Sequence, residues 1–106
     1  MNRKYSHTME LYERALKTIP SGSQTFSKSA LVHVLGAAPI FLERGYGCHV
    51  TDVDGNAYID FILGLMPLVL GYRDPDVDEA IKLQLERGIT FSLSTELEVI
   101  LSTISD

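Results

Sequence analysis

Apolar residues recur at helical spacing near the start of the chain, at Met9, Tyr12, Leu16 and Ile19, with Leu11 and Ala15 widening the stripe. Ser6 or Thr8 offers a cap and Pro20 with Gly22 a stop, so the pattern predicts a helix within residues 1–20. The run PSGSQTFSKSA that follows has no period and opens a loop over residues 21–38. The period then drops to two. Pro39–Glu43 reads as a short apolar strand and Arg44-Gly45-Tyr46-Gly47 as a turn. Cys48–Val53 alternates, with Cys48, Val50 and Asp52 on one face and His49, Thr51 and Val53 on the other. Asp54-Gly55 signals a hairpin, because glycine accepts the positive φ of a primed turn, and Ala57–Ile62 returns as the partner strand. Residues 39–62 are therefore expected to form a three-stranded antiparallel meander.

Residues 63–73 form an apolar loop interrupted by Gly64, Pro67 and Gly71. Asp74 as N-cap and Pro75 at the first helical position then start a helix, with Asp76, Asp78 and Glu79 in its first turns. Val77, Ala80, Ile81 and Leu85 are its expected buried stripe, and Gly88 closes it. Thr95-Glu96-Leu97-Glu98 fits a capping box for a last helix with an apolar face at Leu97, Ile100, Leu101 and Ile104. No stop signal precedes Asp106, so of the two helices over residues 74–106 the last is expected to be cut short and the chain to be a piece of something longer. The fold class expected is an α+β segment: one helix, a meander, then two helices.

Composition narrows the function classes. The 106 residues are 45% hydrophobic and carry nine Lys and Arg against fourteen Asp and Glu, a net charge of −5. That charge argues against a nucleic-acid partner, which needs clustered cations. No run is long and apolar enough to span a bilayer, no leader is evident, and a lone Cys48 suits a reducing compartment, so a cytoplasmic protein with no membrane partner is expected.

Candidate chemistry is sparse. Asp52, Asp54, Asn56 and Asp60 invite a calcium loop, but the sixth and twelfth positions counted from Asp52 are Ala57 and Leu63, not Gly and Glu. A solvated hairpin tip is the expected reading. Gly45-Tyr46-Gly47 precedes a strand rather than a helix, so it reads as turn glycines, not a phosphate loop. His7, His33 and His49 are scattered and read as surface or satisfied histidines, and no metal site is expected. The loop Gln24-Thr25-Phe26-Ser27-Lys28-Ser29 differs: hydroxyls, an amide and a cation together suit an anionic group such as a carboxylate.

Several segments taken in order resemble one family: Ile19-Pro20-Ser21-Gly22, the stretch from Phe41 to Gly47, Asp52-Val53-Asp54-Gly55-Asn56-Ala57-Tyr58-Ile59-Asp60, the stretch from Pro67 to Tyr72, and Ser94 to Glu98. Together they are similar to the N-terminal quarter of class III pyridoxal-phosphate aminotransferases of the glutamate-1-semialdehyde 2,1-aminomutase type. The resemblance implies the N-terminal part of a fold-type I transferase, normally a homodimer, acting on a small-molecule amino donor and acceptor. It implies pyridoxal 5'-phosphate as cofactor of the complete enzyme. The family's cofactor lysine, phosphate loop and aspartate lie beyond this stretch, and Lys4, Lys17, Lys28 and Lys82 do not match that lysine. No catalytic or cofactor-binding residue is therefore expected here, and the isolated chain is expected neither to bind the cofactor nor to be active.

By the same resemblance, Thr25 and Lys28 fall where aminomutases place a Ser and an Arg near the substrate carboxylate. Leu65 falls where they place a Trp, and Met66 where a Gly follows it. A lysine supplies charge without the bidentate fork, which puts glutamate semialdehyde in question and leaves a sugar or keto acceptor open. The alternative is a truncated, non-enzymatic product or association module that binds a full-length subunit through the apolar loop Leu65–Leu70.

Overall fold

The computed structural model describes residues 4–104. They divide into two compact units, one running up to Asp74 and the other from Pro75 onward.

The first unit begins with helix α1, Ser6–Thr18, whose inward face is Thr8, Tyr12 and Ala15. The predicted stripe is therefore only partly used, since Leu16 and Ile19 are about half exposed. Neither Ser6 nor Thr8 caps the helix. Tyr5 stands at the N-cap position without a side-chain bond, and the cap comes from a distant residue described below. The stretch expected as an irregular loop contains three single 3-10 turns, Pro20–Gly22, Phe26–Lys28 and Ala30–Val32. Buried Ser29 joins the last two, and its hydroxyl accepts from Leu31 N at 3.3 Å.

Strands β1 (Leu42–Tyr46), β2 (His49–Asp52) and β3 (Ala57–Ile59) form the expected antiparallel meander in the order β1-β2-β3. Its boundaries shift from those predicted. Arg44, Gly45 and Tyr46 belong to β1, pairing with Thr51, Val50 and His49, and a register irregularity lies between Leu42 and Arg44. Gly45 is thus a strand glycine rather than a turn glycine. The ring of Tyr72 lies over it so closely that a Cβ there would fall 2.5 Å from Cγ. The loop after β3 is irregular, as expected, and its end is tied back: Tyr72 and Gly47 exchange both backbone hydrogen bonds at 2.8 Å.

The second unit holds α2, Pro75–Leu85, and α3, Glu96–Thr103. Thr95 and Glu98 form the predicted capping box, with Thr95 N donating to Glu98 Oε1 at 3.0 Å. Gly88 follows α2 at φ 95°, the left-handed value a helix stop requires. The expected burial of the α2 stripe is not realised. Val77, Ile81 and Leu85 are exposed, as are Leu97, Ile100, Leu101 and Ile104 on α3. Amphipathic faces without a covering layer gain little of the burial that normally stabilises short helices.

Candidate functional site

The acidic residues of the hairpin are structural, which corrects their reading as a solvated tip. Asp52 is completely buried at the end of β2. Its Oδ1 accepts from the backbone amides of Asp54 (3.0 Å) and Asn56 (2.7 Å). Its Oδ2 accepts from Asn56 Nδ2 (2.8 Å) and the Tyr58 hydroxyl (2.9 Å). Burial pushes this carboxyl up, but the bonds from Asn56, Tyr58 and Asp54 outweigh it and hold it below the ordinary carboxylate range. The Tyr58 hydroxyl is driven well above its usual value by burial and by its tyrosine and aspartate neighbours.

Asp54 receives the amides of His7 and Thr8 at 2.8 Å each. Desolvation raises its carboxyl, and the bonds from Thr8 and His7 lower it further than that. Asp60 takes Tyr72 OH on Oδ2 at 2.6 Å and the amides of Ile62 and Leu63 on Oδ1 at 2.8 and 3.2 Å. The Tyr72 bond is the main reason its carboxyl is depressed, and burial beside Asp60 pushes Tyr72 up to about 12.

All three aspartates are held below the ordinary carboxylate range in the folded protein. The stability they contribute is fully present above their unfolded pKa and is lost as pH falls through the folded values. Acid unfolding of this unit is therefore expected to set in below about pH 4. A fluorescence titration of the tyrosines checks this; a midpoint above pH 5 would contradict it.

Beside this scaffold lies a cavity of about 540 Å³. Ser27, Lys28 and His33 from the 3-10 segment line it. Asp60, Leu65 and Tyr72 also line it, as do strand residues such as Val50 and Ile59. The structure thus brings Lys28 and Leu65, two of the three candidate residues, to one cavity. Thr25 is not among the lining residues; its hydroxyl instead lies 3.3 Å from that of Ser27, which is. His33 is a lining residue that sequence reasoning set aside, because nothing in its spacing links it to Lys28. The Lys28 ammonium has no acidic partner among the described residues. Leu65 and Met66 sit at φ 71° and 79°, left-handed values that non-glycine residues rarely adopt. The bonds from Ile62 and Leu63 to Asp60 fix the turn that leads into them.

The aminotransferase class-III family profile matches residues 32–102. The chain belongs to the class-III aminotransferases. A glutamate-1-semialdehyde 2,1-aminomutase of Chloroflexus aurantiacus is 43% identical over 104 residues, which cover 98% of this chain and 23% of that protein. The FumI protein of Sphingopyxis sp. MTA144, solved as its pyridoxal-phosphate internal aldimine form, superposes with a TM-score of 0.74 at 31% identity. That match covers 88% of this chain and 22% of FumI. A glutamate-1-semialdehyde aminomutase from Pseudomonas aeruginosa PAO1 gives a TM-score of 0.73 at 28% identity, covering 92% of this chain and 21% of that one. This class-III aminotransferase chain therefore spans about a quarter of the length of the curated relatives it matches. Its three helices and three-stranded sheet are those of a fold-type I transaminase region.

The residues around the cavity do not by themselves fit pyridoxal phosphate. The one carboxylate there, Asp60, already accepts three hydrogen bonds, leaving little of it for a pyridinium nitrogen. Among the described residues no His, Cys, Asp and Glu cluster suits a metal, and no helix is long and apolar enough to cross a membrane.

Proposed function

We propose that this chain is the N-terminal, substrate-side segment of a pyridoxal-phosphate-dependent class-III aminotransferase or aminomutase. The complete enzyme transfers an amino group to a carbonyl substrate, either a glutamate-1-semialdehyde-like acid or a sugar or keto acceptor. The cofactor supplies the electron sink for that chemistry and is held by parts of the enzyme outside this segment. The isolated chain is accordingly inactive. In the complete enzyme, a homodimer in the cytoplasm, the segment's task is to bind and orient the substrate.

The observation that supports this reading is the meeting of Lys28 and Leu65 at one cavity. Lys28 presents a cation to an anionic substrate group, and Leu65 forms an apolar wall beside the substrate's carbon chain. Thr25 acts behind them, its hydroxyl orienting Ser27. A single ammonium attracts a carboxylate without fixing its plane, so the anion is held less directionally than by a guanidinium.

Lys28→Ala in the complete enzyme is expected to raise the KM for glutamate 1-semialdehyde about tenfold with kcat within about twofold, because a charge-assisted contact is removed from ground and transition states alike. Lys28→Arg is expected to hold KM near the parent value. An unchanged KM in Lys28→Ala would refute the assignment.

A further inference from the structure

We propose that Asp54, at the tip of the β2–β3 hairpin, is a positioning residue for Lys28, so that the hairpin determines where the anionic end of a substrate is held. The functional half of this inference rests on the placement of Lys28 proposed above.

Helix α1 has no cap from its own sequence, since Tyr5 contributes no side-chain bond at the N-cap position. The amides of His7 and Thr8 donate instead to Oδ1 and Oδ2 of Asp54, across 47 and 46 residues of chain. One carboxylate thus covers two of the helix's orphan donors and also opposes the positive end of its dipole. The hairpin reaches the same helix entrance by a second route. Asn56 Nδ2 donates to the Lys4 carbonyl at 2.8 Å, and the hydroxyls of Tyr58 and Tyr5 lie 3.2 Å apart.

From α1 the path to Lys28 is continuous contact. The Tyr12 ring abuts Gly22 so tightly that a Cβ there would lie 3.1 Å from Cε2 and 3.4 Å from a Leu16 methyl. Gly22 belongs to the 3-10 turn Pro20–Gly22, whose Ser21 carbonyl accepts from the hydroxyl of buried Ser29 at 3.1 Å. Ser29 directly follows Lys28. The helix that Asp54 holds therefore carries the turn to which the neighbour of Lys28 is fastened. The turn leading to Leu65 is fastened instead through Asp60, which accepts from the Ile62 and Leu63 amides and, among the described residues, has no bond to α1. Loss of Asp54 is thus expected to loosen the Lys28 turn and to leave the Leu65 turn as it is.

Two measurements on the complete enzyme test this. In Asp54→Ala, amide exchange is expected to speed about tenfold at His7 and Thr8 and also at Lys28, Ser29 and Leu31, while Leu63 and Leu68 keep their protection. Faster exchange confined to α1, with the Lys28 turn unchanged, would overturn the mechanical link. In kinetics with glutamate 1-semialdehyde, Asp54→Ala is expected to raise KM about fivefold with little change in kcat, and to add nothing further in a Lys28→Ala background. Full additivity of the two substitutions would overturn the positioning role. If Lys28→Ala alone leaves KM unchanged, the substrate reading of Lys28 fails, and the exchange pattern still decides the link between hairpin and turn. Asp54→Asn, which retains one acceptor, is the second variant should Asp54→Ala fail to fold; it is expected to give the same exchange pattern at smaller amplitude, and an unchanged pattern would refute the link.

Discussion

Asp52→Ala is expected to be among the most damaging substitutions in the chain, lowering stability by about 3 kcal/mol or more. Four donors converge on this carboxylate: two backbone amides, the Asn56 amide and the Tyr58 hydroxyl. The side chain is wholly buried, so water does not replace it without opening the hairpin. Removing it leaves those donors unpaired at the point where β2 turns into β3. A domain's total stability is only about 5–15 kcal/mol, so a loss of this size removes a large part of it. Asp52→Asn separates charge from shape. Its amide nitrogen would face the Asn56 and Tyr58 donors, so it is expected to recover less than half of the loss. The urea midpoint at constant slope is the measurement; an Asp52→Ala midpoint within experimental scatter of the parent would show that the hairpin tip is solvated after all.

The difference between that tip as read from sequence and as folded is one of range. Alternation along β2 correctly put Asp52 on the face of Val50, and both are buried. What the alternation does not carry is the identity of partners contributed from elsewhere. Asp52 takes its donors from Asp54, Asn56 and Tyr58 close by, but Asp54 itself reads as solvated unless α1 is known to begin against it, and that contact joins residues 47 apart in sequence. The same holds for the missing cap of α1, sought at Ser6 or Thr8 because caps are usually local. Gly45 reads as a turn residue from sequence because its reason for being glycine, the Tyr72 ring, lies at the far end of the loop after β3. The Thr95–Glu98 box and the Gly88 stop, signals whose partners lie within a turn, are in place. The stripes of α2 and α3 were legible as stripes, but a period gives the face and not what covers it.

At the candidate site, the composition of the Gln24–Ser29 loop points to anion binding, and family resemblance singles out Thr25, Lys28 and Leu65. Their meeting at one cavity is a tertiary fact that no spacing encodes. His33 was invisible for the same reason. Thr25 shows the converse: it matches a family position by sequence, yet the turn at Phe26–Lys28 puts Ser27, not Thr25, on the cavity wall.

Gly71→Ala is expected to cost about 3 kcal/mol, most of it from one steric conflict. Gly71 has φ +86°, and a Cβ there would sit 2.7 Å from the carbonyl oxygen of Gly47 and 3.0 Å from its carbon. Both are backbone atoms, so no rotamer change relieves the clash. That oxygen is the acceptor for Tyr72 N at 2.8 Å, and Gly47 N donates back to Tyr72 O at the same distance. The added methyl must therefore separate the two strands of this bridge and lift the Tyr72 ring from Gly45. The Tyr72 hydroxyl then loses its 2.6 Å bond to Asp60, and the Leu65 wall of the cavity loses a neighbour. Gly55→Ala is the internal control: its φ is +84°, but nothing lies within 4 Å of its Cβ position. It measures the left-handed backbone penalty alone, about 1 kcal/mol. The excess of Gly71→Ala over Gly55→Ala in urea unfolding then reports the closing of the apolar loop onto the sheet. Equal costs for the two substitutions would mean that the Gly47–Tyr72 bridge contributes nothing to holding the cavity together.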